Sequence, residues 1–265
     1  MSAELAEVDI IILSYAKNEK LKQITQSGID SLLLSEDSDK IKFNVVVIES
    51  NRQQAPYQYV NAVTIYPKTN FGFNKYLNIG IRSTSAPYVC ISNNDVKFHK
   101  QWATEILKYL QADNEVMSAS PICPIFHPKK GFHVNSGHYY GQNAGEEVAG
   151  WCIVFKRSLL NIIGMPDEKI KFWYADNDYA NLLKKHHISH VLVSTAIVDH
   201  LVESTKLSID HVTQHKYTDG SYIYYDYKWN HKHPGTYYYR LFMFTVYNKL
   251  KRIKFWLKTL NKTHG

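Results

Sequence analysis

Ile91-Ser92-Asn93-Asn94-Asp95-Val96 follows directly on Tyr88-Val89-Cys90, so a strand-like apolar run breaks off at three small polar side chains. A buried strand that stops at Asn-Asn-Asp delivers amide oxygens and a carboxylate to the carboxyl edge of a sheet, and open α/β sheets bind their ligands at that edge. Oxygen ligands of low total charge suit a hard divalent cation that also holds phosphate oxygens, Mg²⁺ or Mn²⁺. An Asx-rich turn gives the same local pattern, so the stretch has to be read with its neighbours.

Upstream, residues 8–13 and 43–48 are near-continuous Val/Ile runs and read as buried strands, with a shorter one over 60–66. Residues 18–34 and 74–83 carry helical spacing, the second with Leu77, Ile81 and Gly80 on one side. Strand, helix, strand, short strand, helix, strand is the grammar of a doubly wound parallel sheet. Near-continuous apolar strands imply helices on both faces. Downstream, the pattern predicts a helix over 101–111, a strand over 116–120, loops or a hairpin around 133–140, and a strand over 148–155. A short helix over 156–163 is closed by Gly164. A helix over 176–187 has the acids Asp176 and Asp178 in its first turn, where the helix dipole favours them. Residues 191–193 and 196–198 are strand-like.

The 265 residues allow one large α/β domain with an appendage, or two small domains. The composition, 45% hydrophobic and 21% charged, is that of an ordinary folded chain. Cys90, Cys123 and Cys152 show neither zinc spacing nor a disulfide framework, which points to a reducing compartment. The first residues lack a basic segment followed by an apolar core, so no signal peptide is expected. No apolar run approaches the roughly 18 residues of a membrane span. Phosphate-loop, nucleophile-elbow and dinucleotide fingerprints are absent.

Four segments, in order, resemble GT-A fold glycosyltransferases, and among them the large inverting family 2. They are Val-Asp-Ile-Ile-Ile-Leu-Ser-Tyr at 8–15, Val-Val-Val-Ile-Glu-Ser-Asn at 45–51, and Asn70-Phe71-Gly72-Phe73-Asn74 through Asn78-Ile79-Gly80 into Tyr88 to Asp95. The fourth is Gly150-Trp151, then Phe172-Trp173-Tyr174-Ala175-Asp176-Asn177-Asp178, then His200. The resemblance spans about residues 8–205 and implies a GT-A (Rossmann-like), mostly parallel sheet flanked by helices. It sets the expected glycosyltransferase domain at 1–205 and a C-terminal helical, Tyr-rich extension at 206–265.

The resemblance also implies an enzyme that moves a hexosyl or pentosyl group from a nucleotide-diphosphate sugar, a UDP-sugar foremost, with inversion. Asp95, Asn93 and His200 become the expected ligands of Mn²⁺ or Mg²⁺; an Asn at the first position of the family's Asp-x-Asp motif removes one negative charge. Ser14, Tyr15, Glu49, Asn51, Asn70, Asn74, Asn93 and Asn94 become the expected donor-binding residues. Each has a plain structural alternative in turns and helix caps. Asp176 is expected to act as general base and Asp178 as an orienting or dipole-capping group, with Trp151 as an aromatic platform beside the acceptor or a core residue.

The net charge of +7 is concentrated in the tail: Lys249, Lys251, Arg252, Lys254, Lys258 and Lys262 fall in a segment without acids. Val246, Leu250, Ile253, Leu257 and Leu260 form one helical seam beside Phe255 and Trp256. Such a helix suits a membrane surface, a phosphate backbone or its own domain. The Tyr-rich stretch 217–239 is expected to close over the acceptor as a lid. Three functions stay open. One is transfer to a surface glycan or lipid-linked saccharide, in the cytoplasm or on the inner membrane face. Another is phage-type transfer to a hydroxylated DNA base in a host cytoplasm. The last is a degenerate carbohydrate-binding domain without catalysis.

Overall fold

The computed structural model describes residues 5–201, 211–230 and 233–260. Among them the order is β1 (Ala6–Ser14), α1 (Glu19–Leu33), β2 (Ile41–Glu49), β3 (Val63–Ile65), α2 (Phe73–Arg82), β4 (Tyr88–Asn93), β5 (Val96–Phe98), α3 (Trp102–Ala112), β6 (Val116–Ile122) and β7 (His138–Tyr140). Then come β8 (Cys152–Lys156), α4 (Leu160–Ile163), α5 (Ala175–Lys185), β9 (Ser189–His200), α6 (His211–Trp229) and α7 (Pro234–Leu260). The boundary expected near residue 205, Lys262, and the side chains of the expected seam beyond Lys251 lie outside the described residues.

The strands form one sheet in the order β3-β2-β1-β4-β8-β6-β9-β5, with β7 also on β9. The first four strands are parallel, as the Val/Ile runs imply. The other half is mixed. β8 lies antiparallel between β4 and β6, β9 runs parallel to β6, and β5 and β7 pair antiparallel with β9. The hairpin expected around 133–140 is replaced by β7 alone against β9, and the two strand-like pieces after residue 190 are one strand. β5 went unread because three residues carry no measurable period.

Two cores explain the apolar strands. Along β1, Ile10 and Ile12 point into a cluster with Ile29 and Leu32 of α1 and with Trp102, Ile106 and Leu110 of α3. Ile11 points the other way, among Tyr76, Leu77 and Ile81 of α2 and Ala180 and Leu183 of α5. Strand side chains alternate faces, so a strand covered on both sides is apolar almost throughout; Asp9 of β1, the polar exception, is buried against Arg157. Local chemistry fixes the helix starts: Asn18 caps α1 by accepting from the Leu21 N–H at 3.0 Å. Glu36 accepts from Ala103 and Thr104 N–H at the start of α3. Gly164, at φ +78°, ends α4 in a conformation that L side chains rarely adopt.

The Tyr-rich stretch expected to be a lid belongs to two helices. α6 is docked on α5 and its preceding loop: Lys228 pairs with Asp178 and Asp167, Trp229 Nε1 donates to Asp178 at 2.7 Å, and Tyr224 donates to Asp167 at 2.8 Å. α7 packs back on α6 through the Arg240–Asp226 pair and a stack of Tyr237 on Tyr227.

α2 approaches β1 most closely at Gly80, where an added Cβ would stand 2.5 Å from Ile11 Cγ2. Ile11 is β-branched, fully buried and unable to step aside. Gly80→Ala is therefore expected to destabilise the fold by about 1–3 kcal/mol, lowering the melting temperature by roughly 2–4 °C per kcal/mol. In a double-mutant cycle, Ile11→Ala makes the Gly80→Ala penalty smaller. An additive cycle contradicts this account.

Candidate active site

β1, β2 and β4 end at one level: Ser14 is opposite Glu49, and Leu13 is opposite Asn93. From Asn93 the chain passes through Asn94 and Asp95 into β5, which runs antiparallel to β9. That register sets Val96 opposite His200, so the last residue of β9 stands beside Asp95. The Asp95 carbonyl accepts from the Leu201 N–H at 3.0 Å and closes the corner. His200 Nε2 then lies 3.4 Å from Asp95 Oδ1 and 3.4 Å from the Asn93 side-chain amide.

Trp151 holds the imidazole in place. Its ring lies on His200 with centroids 5.1 Å apart and planes 6° from parallel. Phe126 packs edge-on to Trp151, and the Trp151 carbonyl accepts from the Asn93 N–H at 2.8 Å. Trp151 is buried, and its indole N–H has no hydrogen-bond partner.

Asn93, Asp95, Trp151 and His200 line one cleft of about 300 Å³ together with Leu13, Ser14, Tyr15, Ser50, Asn94, Gly150, Ala175 and Asp176. Its remaining wall is aromatic: Phe71, Phe73, Phe172, Trp173 and Tyr174. Asp95 and Asp176, far apart in sequence, therefore face the same space. Asp176 sits in the first turn of α5, and its Oδ1 accepts from the Asn177 N–H at 2.9 Å. Burial pushes its pKa above the ordinary aspartate value, against the opposing pull of backbone hydrogen bonds. Gly150 lies behind it: a Cβ there would stand 2.9 Å from Asp176 Oδ2, so any larger residue displaces the carboxylate.

The donor-side expectations divide. Tyr15 is partly exposed on the cleft, and Ser14 reaches it while its hydroxyl bonds Tyr59 at 3.1 Å. Glu49 is fully buried and accepts from the N–H groups of Ala16 at 3.2 Å and Asn51 at 2.7 Å and from the Tyr59 hydroxyl at 3.0 Å. Its carboxylate shapes the loops and is absent from the cleft lining. Asn51 likewise closes the turn, donating to the Ala16 carbonyl at 2.7 Å. Asn94 lines the cleft and donates to Thr25 at 3.0 Å. Asn70 is exposed and lines no part of the cleft. Asn74 is buried, ties α2 to the Asp167 carbonyl at 3.0 Å, and faces an adjoining apolar cavity.

Asp178, also in the first turn of α5, does not line the cleft that Asp176 faces. Two residues along a helix is about 200° of rotation; Asp178 borders the adjoining apolar cavity and turns to α6. There it is buried, 2.8 Å from Lys228 Nζ, and serves to dock α6. Burial raises its pKa against the lowering pull of Lys228. His190 is also set aside for structure: it is buried, bonds Ser118 Oγ at 2.8 Å and is held neutral with a pKa near 4.

Sequence reading missed the aromatic wall and Ser50. The signal was present in the run Phe172-Trp173-Tyr174 immediately before Asp176. Phe71 and Phe73 alternate with the glycine that caps α2.

Among the described residues no three His, Cys, Asp or Glu side chains gather for a metal. The donor set at the corner is one carboxylate, one imidazole and one amide. Asp95 Oδ1 and His200 Nε2, 3.4 Å apart, have the spacing of neighbouring ligands on a cation bound at about 2.0–2.2 Å. Exchanging the Asn93 amide atoms, which X-ray work itself rarely distinguishes, turns its oxygen to the same point. The set fits a divalent cation that keeps open positions for oxygens from a ligand.

No family model matches the sequence, and no curated protein matches it. Solved structures do. The mannosyltransferase PcManGT from Pyrobaculum calidifontis, in complex with GDP-Man and Mn²⁺, superposes with a TM-score of 0.59 at 14% identity over 87% of this chain. GalNAc-T7 with UDP, GalNAc and Mn²⁺ gives 0.58 at 10% identity over 74%, and TarS of S. aureus gives 0.52 at 13% over 72%. The chain spans 66%, 44% and 59% of the lengths of those three. With its strand-end corner, its helix-covered sheet and these superpositions, the chain has the GT-A glycosyltransferase fold.

Proposed function

We propose that the protein transfers a sugar from a nucleotide-diphosphate sugar to a hydroxyl acceptor, with inversion at the anomeric carbon. One observation carries this reading: Asp95, His200 and Asn93 stand in the same cleft as Asp176, at the carboxyl edge of a GT-A sheet. The neighbours solved with GDP-Man or with UDP, each with Mn²⁺, support the donor class and the metal.

Asp95, His200 and the Asn93 amide would hold Mn²⁺ or Mg²⁺, which when bound stabilises the charge of a departing diphosphate. Only Asp95 brings a formal charge, so the donor's own phosphates complete the neutralisation. Ser14, Tyr15 and Ser50 line the cleft and would meet the donor. The aromatic wall excludes water and offers flat surfaces to a sugar ring. Asp176 takes the proton of the acceptor hydroxyl as its oxygen bonds to the anomeric carbon and the bond to the diphosphate oxygen breaks. A carboxylate whose pKa burial has raised is a better base for that task than an ordinary one.

For the acceptor, a surface glycan or lipid-linked saccharide fits an enzyme working in the cytoplasm at a membrane face. A hydroxylated DNA base is the second reading, favoured by the basic segment 249–262. Products identified after incubation with each acceptor separate the two. Saturable glycan binding without turnover of any nucleotide sugar supports the degenerate module instead.

Incubated with UDP-sugars alone, the protein is expected to hydrolyse its donor slowly. EDTA or Asp95→Ala abolishes that hydrolysis, and full activity in EDTA contradicts the metal role. Asp176→Asn is expected to keep donor affinity and lose transfer by roughly 10²–10⁴-fold; normal turnover in this variant removes Asp176 as base. The same substitution is expected to raise the melting temperature. The folded state holds the Asp176 proton more tightly than the unfolded chain, so its ionisation costs stability above the folded pKa. Below the unfolded value both states are protonated and the cost vanishes. The gain in melting temperature is therefore largest at neutral pH and closes as pH falls into the ordinary aspartate range.

A further inference from the structure

We infer that the face of α7 turned away from α6 is a docking surface for a lipid bilayer with anionic headgroups. α7 has two unlike sides. One packs on α6: Tyr237 contacts Tyr224 and Tyr227, Arg240 pairs with Asp226, and Phe244 covers Gly220. On the other, Tyr238, Tyr239, Phe242, Met243, Tyr247 and Leu250 are 47–66% exposed. At 100° per residue these six cover a continuous half of the helix. Isolated exposed apolar side chains need no explanation, but a contiguous band marks an interaction surface.

Charge selects the occupant. Residues 227–265 hold nine Lys or Arg and no Asp or Glu. The chain carries +7 in all, so the remainder is net negative. A second copy of the chain would bring a like-charged band against this one. A nucleic acid would engage the cations and leave the apolar band in water. An anionic bilayer satisfies both: its acyl boundary takes the aromatic and aliphatic side chains, and its headgroups take the lysines. Tyrosines at one end of the helix suit the interfacial zone, where amphipathic rings settle. Among the described residues no helix is long and apolar enough to cross a membrane, so α7 lies along the surface.

The test is co-sedimentation of the full chain with vesicles of phosphatidylcholine alone or mixed with phosphatidylglycerol. Wild type is expected to pellet with the mixed vesicles and stay in solution with the neutral ones. Phe242→Ser combined with Leu250→Ser removes apolar contact without changing charge, and Lys249→Gln combined with Lys251→Gln removes charge without changing the band. Each pair is expected to weaken binding at least tenfold at an unchanged melting temperature. Three results overturn the inference: wild type staying in solution with mixed vesicles; binding that the serine pair leaves intact; and a wild-type dimer that the serine pair converts to monomer. Vesicle binding needs no turnover. Wild type that transfers sugar and binds no mixed vesicles sinks this inference alone, and wild type that binds them and transfers no sugar sinks the transferase reading alone.

Discussion

The level at which three parallel strands end governs the rest of the molecule. Below it the backbone groups of β1, β2 and β4 satisfy one another in ladders; above it they need other partners, and buried ones cannot rely on water. Glu49 supplies those partners. Its carboxylate gathers the Ala16 and Asn51 N–H groups and the Tyr59 hydroxyl, and in doing so fixes the two loops that floor the cleft. A buried carboxylate is costly unless such donors surround it. The loops and the charge thus depend on each other, and the cleft has a defined shape before any ligand arrives.

Asp176 and Asp178 show how position within one helical turn divides a cleft-facing carboxylate from a structural one. The first keeps its carboxylate against the cleft with little besides a backbone N–H to favour ionisation. The second spends its charge on Lys228 and its remaining acceptor capacity on Trp229. Both pKa values rise through burial, yet only Asp178 has a cation to offset the desolvation. The fold tolerates an under-compensated carboxylate where a reacting proton would need one.

The parallel half of the fold was legible because Val8 to Leu13 and Phe43 to Ile48 are apolar but for Asp9 and Asn44, the near-continuous pattern of strands buried on both faces. The Asn93-Asn94-Asp95 corner was legible for the converse reason: polarity begins abruptly where the strand ends. Strand direction was not. Nothing in Cys152–Lys156 says that β8 runs against β4, yet that reversal brings its entry, Gly150 and Trp151, to the edge where β4 exits. Long-range capture was equally hidden. Glu49 reads as a ligand-facing acid from its place after a strand, and only the fold shows Tyr59 and two loop N–H groups converging on it. Asp178 reads as half of a catalytic pair because Lys228 is fifty residues away in sequence.

The same pairs that fasten the C-terminal helices also sort the charges. Lys228 is met by Asp167 and Asp178, and Arg240 by Asp226. Asp226 is the last acid in the chain. Up to this point each helix is held by carboxylates already in place, and ionic contact adds little that solvent would dilute, since these pairs are largely shielded. Past residue 249 the lysines continue while the sequence provides no Asp or Glu to meet them. A helix whose docked side is neutralised from within, and whose far end gathers only positive charge beside an uncovered aromatic band, is balanced by something that brings its own negative charge and its own apolar depth.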